Sequence, residues 1–276
     1  MTDAEILQKN TVYVKQLHRQ VSAMELGQFN ELVRIAISSQ KQLSPQDAAN
    51  LYLQVFPDMQ LLSESFAVFL KLLQDKQRLA PTHSSNIQST VKSGSLFYMA
   101  NRHTEFARKK FSAFVSHCSP APQTDFLTIC ESVASDENSF CILPVFSSAE
   151  GELPAFARMI REYQLKTRAM CDVTTSDGET ELRFALLSGQ IHWSPDAAFI
   201  EIPFQPESGR QLTASLAALQ KLDAELYSIN ARPMEYNMNS FLYKITVKSR
   251  PESMGGIAAF VETAMRTGIS GVFNIL

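Results

Sequence analysis

YSINARPMEYNMNSFLYKITV, residues 227–247, holds two runs of strand-forming residues around a polar centre. The first belongs to a strand over Leu226–Arg232, and FLYKITV, rich in aromatic and β-branched residues, forms a second over Phe241–Val247. Outward from this pair, FIEIPF reads as a strand at Phe199–Phe204, and Gln211–Leu222 keeps helical spacing. Downstream, a helix is expected from about Gly255 to Thr267 and a last strand over Gly271–Ile275. The resulting order is βαββαβ. It packs two helices on one face of an antiparallel sheet and leaves the other face for dimerisation or ligand binding.

Upstream the pattern differs. Leu96–Ala100 is a short apolar run, and Thr104–Val115 has helical spacing. A proline-containing loop follows, then a helix around Asp125–Ser135 and a buried-type strand, FCILPVF, at Phe140–Phe146. Leu153–Tyr163 reads as helix and LRFALL at Leu182–Leu187 as strand. Alternation of this kind predicts an α/β layer with parallel pairing. The first 80 residues read as helix throughout. Ser44-Pro45 starts a second helix that Pro57 stops, and Ser63 caps a third that carries Phe66, Phe69, Leu70 and Leu73.

The fold class is therefore α+β multi-domain. It comprises an N-terminal three-helix module (1–82), a polar linker (83–94), a single-lobe α/β domain (95–192) and a C-terminal ferredoxin-like βαββαβ domain (193–276).

Composition excludes other classes. Lys+Arg 25 against Asp+Glu 28 leaves a net charge of -3, so there is no electrostatic footprint for nucleic acid. No run reaches the roughly 20 apolar residues that span a bilayer. MTDAEILQKN carries acids and no apolar core, so no secretory leader is expected and a cytoplasmic location is. The four cysteines lack metal spacing and are expected as free thiols, and neither metal nor cofactor is expected.

Several motifs resemble a known family. Asn230-Ala231-Arg232-Pro233 is similar to the strand-ending Glu-Ser-Arg-Pro of the ACT domains in prephenate dehydratases and aromatic amino-acid hydroxylases, and Gly209-Arg210-Gln211-Leu212 stands at the place of their Pro-Gly-Ala-Leu turn. Phe140–Val145 resembles the dehydratase strand leading into a Glu-Asn-Ser/Thr loop, here Phe146-Ser147-Ser148-Ala149-Glu150-Gly151. Thr104-Glu105-Phe106-Ala107 is similar to the opening of that family's first helix, and Leu182-Arg183-Phe184 to its Thr-Arg-Phe motif, with Leu182 in place of the catalytic Thr. The order helical module, α/β lobe, ACT resembles the bacterial bifunctional P-protein (chorismate mutase–prephenate dehydratase). In the family a second lobe precedes Thr-Arg-Phe. Here only VTTSDGET, Val173–Thr180, fills that interval, so the second lobe is expected to be absent.

The resemblance implies a degenerate, dehydratase-inactive and regulatory chain, acting as a homodimer through its ACT-like domain and binding a small aromatic or prephenate-like ligand. Arg183, Ser147, Ser148 and His103 are its candidates for a remodelled dehydratase-like cleft, and Arg210, Asn230 and Arg232 for an ACT-like effector pocket. The enzyme alternative is a chorismate mutase using cations of the helical module, with Arg19, Arg34 and Lys41 as candidates. A structural or interaction protein is the third reading. On the residues alone, Arg34 and Lys41 also fit a solvated helix face, Arg183 a structural salt bridge, and Ser147 and Ser148 a loop or helix cap.

Overall fold

A computed structural model describes residues 26–38, 42–57, 59–80, 93–174, 180–194, 196–234 and 237–276, and within them several helices begin at polar caps. Helix α1 covers 26–38. Helix α2 (Pro45–Val55) is capped by Ser44, whose hydroxyl accepts from the Asp47 amide. Helix α3 (Glu64–Asp75) is capped by Ser63, which accepts from Phe66. Strand β1 (Gly94–Met99) leads to α4 (Arg102–Lys110), capped by Asn101, and β2 (Cys118–Gln123) leads to α5 (Phe126–Ser135), capped by Asp125. These polar caps satisfy amide donors that a helix leaves open at its start.

Strand β3 (Phe140–Ser147) folds back on the two-residue β4 (Gly151–Glu152), α6 (Pro154–Glu162) follows, and β5 (Lys166–Thr174) and β6 (Thr180–Ser188) form an antiparallel pair. The last part runs β7 (Phe199–Phe204), α7 (Gly209–Lys221), β8 (Glu225–Met234), β9 (Asn237–Lys248), α8 (Met254–Phe260) and β10 (Gly271–Phe273). This is the βαββαβ order expected from the sequence. The helix expected to run from Gly255 to Thr267 is interrupted: after Phe260 it widens into a π-helical turn, Val261–Met265, that ends at Arg266 with φ 52°.

All the strands join one mixed sheet in the order β2-β1-β3-β6-β5-β10-β7-β9-β8, with β4 on β3. The expectation of parallel pairing is met in part: β1–β2, β1–β3 and β10–β5 pair in parallel, whereas β3–β6 and β5–β6 are antiparallel. Strand β5 was not anticipated, although Thr167, Ala169, Cys171 and Val173 alternate inward along it. The proline-containing loop is instead strand β2. It sits at the sheet edge, where Pro120 and Pro122 can turn their missing N–H groups away from β1. Five residues link Thr174 to Thr180, so β5 and β6 form a hairpin.

The junction of the sheet's two halves depends on a glycine. A Cβ at Gly271 would lie 2.7 Å from Thr167 Cβ, so only glycine lets β10 come this close to β5. One hydrophobic core joins the helical module to the C-terminal half: Tyr52, Phe66, Phe69, Leu70 and Leu73 pack with Leu219, Ile245, Ile257 and Phe260. Polar ties surround it. Lys71 pairs with Asp223 at 2.7 Å, Lys221 with Glu64 at 3.1 Å, and the Gly256 amide donates to Gln74. Trp193 packs against the same core, in the connection between β6 and β7. Two smaller cores lie on the two sides of the N-terminal half of the sheet.

Candidate functional site

The face of β7, β9 and β8 turned away from α7 and α8 meets α6 and β4 across a cleft of about 320 Å³. Residue alternation creates it. Ile200, Ile202 and Phe204 of β7 and Ile245 and Val247 of β9 point into the helix-covered core, so Glu201 and Lys244 point the other way. From the opposite side, Gly151 adopts φ 74°, a left-handed conformation suited to glycine, and turns β4 back so that Glu152 reaches over the cleft.

A charge network results. Glu152 accepts from Arg232 Nη2 at 2.7 Å and from Lys244 Nζ at 3.1 Å. Lys244 also reaches Glu201 at 3.4 Å, and Ser270 donates its hydroxyl to Glu201 Oε1 at 2.8 Å. Glu201 is only 4% exposed, so its charge needs both contacts. Burial alone would raise the Glu152 carboxyl, but Lys244 and Arg232 outweigh it and hold it below the usual carboxylate value. Burial likewise opposes the charged form of Lys244, and Glu201 and Glu152 outweigh it and raise its amine.

Two more cations line the cleft, Arg161 of α6 and Lys166 of β5, and neither forms an ion pair with a described residue. Burial pushes the Lys166 amine down, while Glu201 partly supports its charge from a distance. Apolar side chains complete the walls, among them Val145, Ile160, Met170 and Leu242.

The Glu152 network sets an expected pH dependence. Its folded-state pKa lies below the unfolded value of about 4.3. Its pairs therefore stabilise the fold above that pH, and the contribution is lost as pH falls through the folded value. Lys244 is raised, so its contribution is complete below the unfolded value of about 10.4 and is lost only at still higher pH. The acid-side fall of the urea midpoint should be shallower in Glu152→Gln than in the parent protein. Identical acid limbs in the two proteins would remove Glu152 as a cause.

The structure brings together only some of the expected residues. Asn230 and Arg232 line the cleft, and Arg183 lines a smaller adjoining recess that shares Glu152, Asn230 and Lys244 with it. Arg183 is engaged by Asp172 through two bonds, Nε to Oδ1 at 2.6 Å and Nη2 to Oδ2 at 2.9 Å, and the first effect of this pairing is to hold its guanidinium well above its ordinary value. The structural salt bridge is the reading realised there. Ser147 and Ser148 do not cap a helix. They lie in the β3–β4 turn, where Ser147 Oγ accepts from the Ala149 amide and the Ser148 amide donates to the Glu181 carbonyl, and neither lines the cleft. His103 sits in the first turn of α4 and Arg210 in the first turn of α7, both outside the cleft lining. Arg34 is exposed and held by Glu31 on its own helix at 2.6 Å, as a solvated face would have it. Arg19 and Lys41 lie outside the described residues.

Glu152, Arg161, Lys166, Glu201 and Lys244 were not anticipated. A signal existed for two of them, since Glu201 interrupts FIEIPF and Lys244 interrupts FLYKITV, a lone acid and a lone base in strands that turn out to be neighbours. Among the described residues no group of three or more His, Cys, Asp or Glu is placed to hold a metal, and no helix is long and apolar enough to cross a membrane. The cysteines at 118, 130, 141 and 171 are free thiols.

No protein-family model matches the chain, and no curated protein matches it. Solved structures do. Prephenate dehydratase from Streptococcus mutans is similar in fold, with a TM-score of 0.51 at 16% identity, over 67% of this chain and 98% of that one. Prephenate dehydratases from Staphylococcus aureus subsp. aureus Mu50 and Arthrobacter aurescens, the latter in complex with L-Phe, give TM-scores of 0.48 and 0.49 at 12% and 13% identity. Each aligns with 65% of this chain, and the alignments span 100% and 90% of the two proteins. The chain thus has a prephenate dehydratase-like fold.

Proposed function

We propose that this chain binds a small aromatic carboxylate in the cleft between α6 and the β7-β9-β8 face and serves a regulatory role in aromatic amino-acid biosynthesis, without turning prephenate over. One observation carries the reading: a cleft of about 320 Å³, apolar in its walls, that presents two cations forming no ion pair with a described residue. Its volume lies at the small end of the roughly 300–1,000 Å³ range of ligand pockets. Loss of turnover is supported by the direct β5–β6 hairpin. With no second lobe opposite, nothing would desolvate and orient a dicarboxylate for elimination. The motif positions agree, with Leu182 in place of Thr and Phe146-Ser147 in place of Glu-Asn.

The ACT-like reading of residues 193–276 rests on the βαββαβ order and the sheet order β10-β7-β9-β8. It supports a homodimer through the outer strand. Strand β8 forms the sheet edge, and Leu226, Tyr227 and Ile229 on it, with Phe241 on β9, are exposed. A long apolar edge of this kind is normally covered. The domain limits 1–82, 95–192 and 193–276 are part of the proposal.

Calorimetry with phenylalanine, tyrosine, prephenate and chorismate, alongside an assay of phenylpyruvate release from prephenate, tests the reading. Binding of an aromatic carboxylate with a Kd of roughly 1 μM–1 mM and no phenylpyruvate release is expected. Steady phenylpyruvate formation would overturn the non-catalytic reading, and absence of binding by a folded protein would overturn the ligand reading. The mutase alternative rests on Arg34 together with Arg19 and Lys41, the last two outside the described residues, and chorismate consumption decides it.

A further inference from the structure

The charges lining the cleft separate two kinds of aromatic carboxylate. Among the described residues six charged side chains line it: Glu152 and Glu201 against Arg161, Lys166, Arg232 and Lys244. Every oxygen of the two carboxylates already has a partner. The two Glu152 oxygens are taken by Arg232 and Lys244, and the two Glu201 oxygens by Lys244 and the Ser270 hydroxyl. Arg161 and Lys166 are left over, and the lining carries a net charge of +2 by this count. An incoming carboxylate therefore meets two waiting donors, one of them a guanidinium able to bind it through two hydrogen bonds. An incoming ammonium meets neutral acceptors such as Asn230 and Thr167, but no carboxylate oxygen without a partner among the described residues. To gain one it must displace Arg232, Lys244 or Ser270, at the cost of leaving that group unpaired in a half-buried site.

We infer that the cleft takes an apolar carboxylic acid that has no ammonium group, such as an aryl-substituted keto, hydroxy or simple acid, and rejects the zwitterionic amino acid of the same skeleton. The carboxylate lies between the exposed Arg161 and the half-buried Lys166, and the apolar body lies along Val145, Ile160, Met170 and Leu242. The inference rests on the proposal that this cleft is the ligand site and specifies its ligand class. Lys166 fits the role on a second ground. Burial opposes its charge, Glu201 supports it only from a distance, and it forms no ion pair with a described residue, so a bound carboxylate adds counter-charge where little is present.

Three probes that share one phenyl-ethyl skeleton isolate the charge term: 3-phenylpropanoate, L-phenylalanine and 2-phenylethylamine, titrated calorimetrically into the full chain at pH 7. The propanoate is expected to bind at least ~10-fold more tightly than L-phenylalanine, and the amine to give no heat of binding. Arg161→Gln and Lys166→Gln should each weaken the propanoate by ~5- to 10-fold, and Arg161→Lys should retain part of the loss. L-Phenylalanine binding as tightly as the propanoate, or more so, would overturn the ammonium discrimination while leaving the ligand site in place. Tight binding of the propanoate that neither variant alters would overturn the placement in this cleft. If no probe binds a protein with intact circular dichroism, the inference and the ligand reading beneath it both fail.

Discussion

Replacing Phe66 with alanine is expected to cost about 3–5 kcal/mol of stability, the range for a large aromatic removed from a closed core. Phe66 has no exposed surface. Its ring lies 5.0 Å from Tyr52 within the helical module and 6.4 Å from Phe260 of α8, so it bridges the module and the C-terminal unit. The module cannot close over the void without also moving α8. The midpoint of urea unfolding should fall accordingly, followed by circular dichroism and by Trp193 fluorescence. Because Trp193 packs against the same core, the two probes should shift together. A loss under 1 kcal/mol, or a helical signal that melts while the Trp193 transition stays in place, would mean that the module rests on the sheet without sharing its core.

The helical module and the βαββαβ part were legible in the sequence because their signals are local. Ser44-Pro45 and Ser63 start helices by a hydroxyl and a fixed φ, whatever surrounds them. FIEIPF marks its strand to the residue. The middle of the sheet was harder to read. KTRAMCDVT alternates correctly, but Lys166, Arg168 and Asp172 put charge on its outward side and Ala169, Met170 and Cys171 leave its centre without a β-branched residue, so it lacks the run that marks a strand. Its Arg168 and Asp172 serve tertiary partners, the His192 carbonyl and Arg183. In β2 the two prolines argue against a strand unless its edge position is known.

The candidate site was legible in part, for a similar reason. Asn230 and Arg232 were found through a short motif on one strand, and they do face the cleft. Glu152 and Arg161 enter it only because a left-handed Gly151 reverses the chain and α6 lies across the sheet, which no local pattern encodes. Ser147 and Ser148 were drawn in by their place in a resembling loop. That loop here is a tight β-turn, and the side chain that reaches the cleft comes five residues after Ser147, at Glu152.

Glu152→Gln should produce two opposite effects that a merely structural ion pair would not. The substitution keeps the side-chain volume and removes the charge that two cations share. Arg232 and Lys244 then stand beside Arg161 and Lys166, with only Glu201 to balance four positive groups. Breaking a fully buried pair costs about 3–5 kcal/mol; Glu152 keeps a quarter of its side-chain surface exposed, so a loss of about 2–3 kcal/mol is expected. The same change raises the cleft from +2 to +3, so 3-phenylpropanoate should bind more tightly, by about 3- to 10-fold, as released cations compete to hold its carboxylate. Millimolar propanoate should in turn recover part of the lost stability, since a ligand that binds only the folded state stabilises it by mass action. Thermal unfolding with and without the ligand, in the parent and the variant, reads both effects at once. A variant that is less stable yet gains no affinity and no rescue would place the Glu152 network outside the ligand site and leave it as a clasp between β4 and the outer strands.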